Sequence, residues 1–85
     1  MYLLIDELKI KEIIKKIFLE IFVDITENDF DWFKEQKEYE DWDSFTQLNI
    51  ITLTETKFNI SLSIDEGLEI KSPDSLYNII KSHLK

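Results

Sequence analysis

The chain has 85 residues and a net charge of −8, with 44% hydrophobic and 13% aromatic residues, one Gly, one Pro and no Cys. That describes one small domain whose core must come from apolar packing alone, without a disulfide framework, zinc knuckle or thiolate site. The acidic balance argues against phosphate-directed nucleic-acid binding and against an anionic membrane surface, and it favours partners with basic patches.

The first residues, Met1-Tyr2-Leu3-Leu4-Ile5, carry no basic region and are interrupted by Asp6, so they do not read as a signal peptide. No apolar run approaches the roughly 20 residues of a membrane span. A cytoplasmic setting is expected.

Residues 3–23 read as a helix: Leu4, Leu8, Ile10, Ile13, Ile14, Ile17, Phe18, Ile21 and Phe22 recur at three- and four-residue spacing. Lysines and glutamates fill the other face, as on a core-facing bundle helix. Residues 24–43 lose that period. They hold nine acids and two lysines, together with Ile25, Phe30, Trp32, Phe33, Tyr39 and Trp42. A disordered acidic linker lacks such aromatics, so this segment reads as a long ordered loop pinned to the core. Thr26 with Asp29 three residues on resembles a capping box and predicts a short helical turn at 27–31.

Asp43 is a good N-cap for a second helix over 44–57. Phe45, Leu48 and Ile51, flanked by Ile50 and Leu53, are expected to face inward. The threonines at 52, 54 and 56 are poor helix formers, and Ile50 to Thr54 could pass for a strand, but length and the cap favour helix. Residues 58–62 alternate apolar and polar. A lone strand has no partner here, so the expectation is a loop that drops Phe58, Ile60 and Leu62 into the core. Ser63 with Glu66 forms a capping box that opens a short helix to about Ile70. Ser72-Pro73 starts a last helix over 73–84, with Leu76, Ile79, Ile80 and Leu84 inward. The expected fold is all-α: a four-helix bundle of three main helices, a short third helix and a long loop between the first two. Its buried residues are expected to include Ile14, Ile17, Phe18, Phe22, Ile25, Leu48, Ile51, Phe58, Ile60, Leu76 and Ile80.

Few residues can carry chemistry. The one histidine, His83, lies near the end of the last helix, where a solvent-facing role is expected. One histidine assembles neither a Ser–His–Asp nor a metal constellation. The one glycine, Gly67, lacks calcium-loop spacing and makes no phosphate loop. What remains is Ser44 at the first position of the second helix, where backbone N–H groups favour a phosphate. A simple Asp-Ser cap is the plainer reading of that dipeptide alone.

The wider context adds to it. Asp43-Ser44-Phe45-Thr46-Gln47-Leu48-Asn49-Ile50-Ile51, followed by Glu55 and Phe58-Asn59-Ile60, resembles the acyl carrier protein family. The Trp42-Asp43-Ser44 variant looks like the discrete carriers of small biosynthetic clusters. The helix order matches over the whole chain, residues 1–85, as a single carrier domain. The resemblance implies that Ser44 carries a 4′-phosphopantetheine arm and that Asp43 helps to position metal and serine during transfer. It also implies a monomeric non-enzyme that presents an acyl or aminoacyl thioester to separate loading and processing enzymes. A phosphopantetheinyl transferase, using coenzyme A and Mg²⁺, would attach the arm.

Asp74-Ser75-Leu76 matches the family's Asp-Ser-Leu more literally, but too little chain follows it, and Ser72-Pro73 explains it as a first helical turn. Phe45 departs from the family's leucine. The second helix also lacks the family's usual acids, with Glu55 the main survivor. Phe45 and Glu55, together with Glu35, Glu38 and Asp41 of the preceding loop, are therefore the expected partner-binding residues. The alternative is an acidic helical adaptor or inhibitor that binds a basic partner without a prosthetic group. A hydrolase using loop carboxylates has little support without a convergent histidine, metal set or glycine loop.

Overall fold

A computed structural model describes residues 2–84 and contains four helices: α1 Tyr2–Ile21, α2 Ser44–Phe58, α3 Ile64–Leu68 and α4 Pro73–His83. No strand occurs among the described residues, which agrees with the all-helical expectation for a small bundle. The longest helix, α1, packs against both α2 and α4. Its Ile10, Ile14, Ile17 and Phe18 meet Ile50 of α2, Ile70, and Leu76, Tyr77 and Ile80 of α4 in one core. The helix starts follow from side-chain chemistry. Asp43 Oδ1 accepts the Thr46 N–H at 2.9 Å. Ser63 and Glu66 cap each other, at 3.1 and 2.9 Å. Ser72 Oγ accepts the Ser75 N–H at 3.1 Å, with Pro73 at the first helical position.

The 24–43 segment is ordered and contains two 3₁₀ turns, Glu27–Asp29 and Gln36–Glu38. The first lies where the Thr26/Asp29 pair predicts a turn, although there the Thr26 hydroxyl donates to the Asp29 carboxylate at 3.0 Å instead of capping a backbone N–H. Two backbone bonds tie the loop to the α3–α4 connection and to the first turn of α4: Gln36 N–H to Lys71 O at 2.7 Å and Asp74 N–H to Trp32 O at 3.0 Å. Residues 58–62 form no strand. Phe58, Ile60 and Leu62 pack on the core, as expected, while Asn59 ends α2 in the left-handed conformation, φ 55°.

Several inward placements differ from the sequence expectation. Leu8 is exposed, because it lies two residues, about 200°, around the helix from buried Ile10. The inward placement of Leu4 lies outside the described side chains. On α2 the buried face is centred on Ile50 and Thr54, with Gln47 half-buried, and Phe45 and Leu48 turn outward, 71% and 57% exposed. Leu48 thus leaves the expected core, again because it stands two residues from the buried Ile50. Ile25, Ile51, Phe58 and Ile60 pack against the core but are only partly buried. On α4, Tyr77 is buried and Leu84 is exposed, because the helix ends at His83 and Leu84 falls just past it.

Thr54 is fully buried, and its hydroxyl has no hydrogen-bond partner among the described residues. A buried unpaired hydroxyl costs about 1–3 kcal/mol. Thr54→Val keeps the shape and removes that group. It should stabilise the chain by about 1 kcal/mol, raising the melting midpoint by about 4–8 °C for a domain of this size. Thermal unfolding of the two proteins checks this, and a lower midpoint for the valine variant would refute it.

Candidate functional site

The start of α2 is held by what precedes it. Phe18 near the end of α1 and Phe22 just past it pack with Tyr39 and Trp42 of the loop, with ring centroids 4.6 Å apart for Phe22–Tyr39 and 5.6 Å for Phe18–Trp42. Trp42 is buried, and its indole N–H donates to Gln47 Oε1. The same amide donates from Nε2 to Gly67 O at 2.6 Å and to Ile70 O at 3.1 Å. Gln47 therefore joins the loop, α2 and both ends of the α3–α4 connection. Sequence reasoning missed it, since an amide inside an apolar stripe reads as surface. The available signal was Trp42, a buried indole that needs an acceptor nearby.

On this support, Asp43 and Ser44 lie exposed at the first turn of α2. The Thr46 N–H above all holds the Asp43 carboxyl below the usual carboxylate range. Thr46 Oγ1 in turn donates to Asp41 O at 2.8 Å. The capping network thus runs through Asp41, Asp43 and Thr46 and leaves the Ser44 hydroxyl outside it. Ser75 differs sharply. Its Oγ accepts the N–H groups of Lys71 and Ser72 at 2.8 and 2.9 Å and donates to Ser72 O at 2.9 Å. Ser75 is a structural clasp of the α4 start.

The other expected partner-binding residues are spread out. Phe45 is exposed beside Ser44. Glu55 stands eleven residues along α2, about 16 Å by helical rise, and its Oε2 accepts the Leu62 N–H at 2.8 Å, which pins the α2–α3 loop. Glu35, Glu38 and Asp41 are exposed on the loop. Glu35 pairs weakly with Lys37 at 3.9 Å, and its N–H donates to the Glu38 carboxylate at 3.0 Å. Ile64 and Leu68 of α3 are exposed apolar residues. Their helix approaches α2 so closely that a Cβ on Gly67 would stand 2.8 Å from Ile51 Cδ1. His83 is exposed, as expected, and also places Nε2 2.8 Å from Glu66 Oε2, which links α4 to α3. Glu66 is held below the ordinary range by the Ser63 N–H first and by His83 next. No group of three or more metal-ligating side chains occurs among the described residues.

Burial pushes the Tyr39 phenol up to about 12, with Asp31 and Glu38 adding to the effect. The folded chain then holds this proton more tightly than the unfolded chain. Stability from Tyr39 is complete below about pH 10 and is lost as pH rises toward 12. Denaturant titrations of the wild type and Tyr39→Phe between pH 9 and 12 should differ by this decline. Parallel curves would refute it.

No family model, curated protein or solved structure matches this chain in the comparisons made.

Proposed function

We propose that the chain is a carrier protein that holds an acyl or aminoacyl group on a 4′-phosphopantetheine arm at Ser44. The observation that carries the reading is the contrast between two Asp-Ser pairs. Ser44 is exposed and free of its cap network, whereas the Ser75 hydroxyl is committed to three hydrogen bonds. The site fits a phosphodiester. The first turn of α2 offers backbone N–H groups and the positive end of the helix dipole, which offset the charge of the Asp43 carboxylate nearby.

In the attachment step Ser44 Oγ bonds to the pantetheine-bearing phosphorus of coenzyme A and the pyrophosphate linkage breaks. Adenosine 3′,5′-bisphosphate leaves with the electron pair, and the hydroxyl proton passes to a base of the transferase. Once attached, the arm supplies a thiol for a thioester, so the absence of cysteine from the chain is no obstacle. Phe45 and Leu48 beside Ser44, with Ile64 and Leu68 on the helix that meets α2 at Ile51, offer exposed apolar contact for the enzymes that read the arm.

Intact mass after coexpression with a phosphopantetheinyl transferase tests the reading. A gain of one phosphopantetheine, localised to Ser44 by peptide mapping, supports it. An unmodified chain that still binds a basic partner returns the function to the acidic adaptor.

A further inference from the structure

Between the end of α1 and the second 3₁₀ turn lies a cavity of 280 Å³. That is the size for one long side chain, below the usual range of small-molecule pockets. Phe22 and Tyr39 give it an aromatic wall, and Asp24, Glu38, Glu40 and Asp41 surround it. Among the described residues the four ion pairs use Glu7, Glu27, Glu35 and Glu66, and none uses an acid of this cavity. One cation is already seated there: Lys34 Nζ stands 4.6 Å from the centroid of the Tyr39 ring.

We propose that this cavity receives an arginine side chain presented by a partner protein, with its guanidinium taking the place of the Lys34 ammonium on Tyr39 and its aliphatic stem lying on Phe22. The argument is one of shape, charge and reach. A planar guanidinium stacks on an aromatic face and forks to carboxylates, and it sheds water more readily than an ammonium. Buried arginine anchors of this kind dominate many interfaces. The unpaired acids raise the local concentration of cationic partners before contact. A second copy of this chain cannot be the donor, because the sequence contains no arginine. The proposal holds for a carrier and for an adaptor alike, so its failure leaves the Ser44 reading untouched.

The probe is Nα-acetyl-L-arginine amide, with the neutral isostere Nα-acetyl-L-citrulline amide as its control. Each is titrated into the full chain while the Tyr39 ring and the amides of Asp24 and of residues 38–41 are followed by NMR. The arginine probe should saturate these signals, with the citrulline probe at least about tenfold weaker, the worth of a single desolvated cation contact. Lys34→Met, which removes the competing cation, should tighten the arginine probe by about threefold or more. Lys37→Met makes the same charge change outside the cavity and should leave it unchanged. Glu38→Gln with Asp41→Asn should weaken it. Equal shifts with citrulline overturn the proposal. So do shifts spread equally over Asp65 and Glu69, which do not line the cavity, or equal tightening by the two lysine variants. If the double acid variant loses its native spectrum, the two lysine variants decide alone.

Discussion

Ser44→Ala should stay unmodified when coexpressed with a phosphopantetheinyl transferase, while the wild type and Ser75→Ala each gain one arm. The effect is all or nothing because the reaction needs one accessible oxygen nucleophile, and Ser44 presents it clear of its cap. Stability separates the two serines as well. Ser44→Ala touches an exposed side chain outside the Asp43–Thr46 bond and should change stability by less than about 1 kcal/mol. Ser75→Ala removes an oxygen that serves three backbone groups and should cost about 1–2 kcal/mol. Intact mass reads the first difference and thermal unfolding the second. Modification of the Ser44→Ala chain would move the site to another residue and end the assignment.

Gln47→Leu should cost about 3 kcal/mol. The side-chain amide pairs the Trp42 indole N–H and the carbonyls of Gly67 and Ile70, and leucine removes all three bonds, leaving the indole N–H and the Ile70 carbonyl without a partner while Gly67 O keeps the Ile70 N–H at 3.4 Å. Each unpaired group costs about 1–3 kcal/mol when buried, and water reaching the half-buried end returns part of that. A domain of this length has roughly 4–13 kcal/mol in total, so the variant stands close to unfolding at 37 °C. Gln47→Glu separates hydrogen bonding from packing. It retains the acceptor for Trp42 but turns a carboxylate toward two carbonyl oxygens, and it should be no better than leucine. Denaturant midpoints and tryptophan fluorescence check both variants. A wild-type midpoint for Gln47→Leu would show that the Trp42–α2–α3 link carries no net stability.

The sequence by itself determined the four helices and where the last three start, because each of those starts is written in local chemistry, whereas α1, α3 and α4 end one or two residues before the expected positions. Asp43, the Ser63/Glu66 pair and Ser72-Pro73 act over three or four residues and need no distant partner, and all three start helices where expected. The aromatics of the 24–43 segment likewise marked it as ordered, since surface of that kind must be covered. Only the tertiary structure decided which face of α2 turns inward. Apolar spacing favoured Phe45, Leu48 and Ile51, but the buried line runs through Gln47, Ile50 and Thr54. The reason is that Gln47 finds an indole and two carbonyls from segments 5, 20 and 23 residues away, and periodicity cannot register partners at such distances. The two Asp-Ser pairs teach the same point. Their sequences are nearly interchangeable, and one hydroxyl is locked in a helix start while the other is exposed, because only Ser75 meets the Lys71–Ser72 backbone.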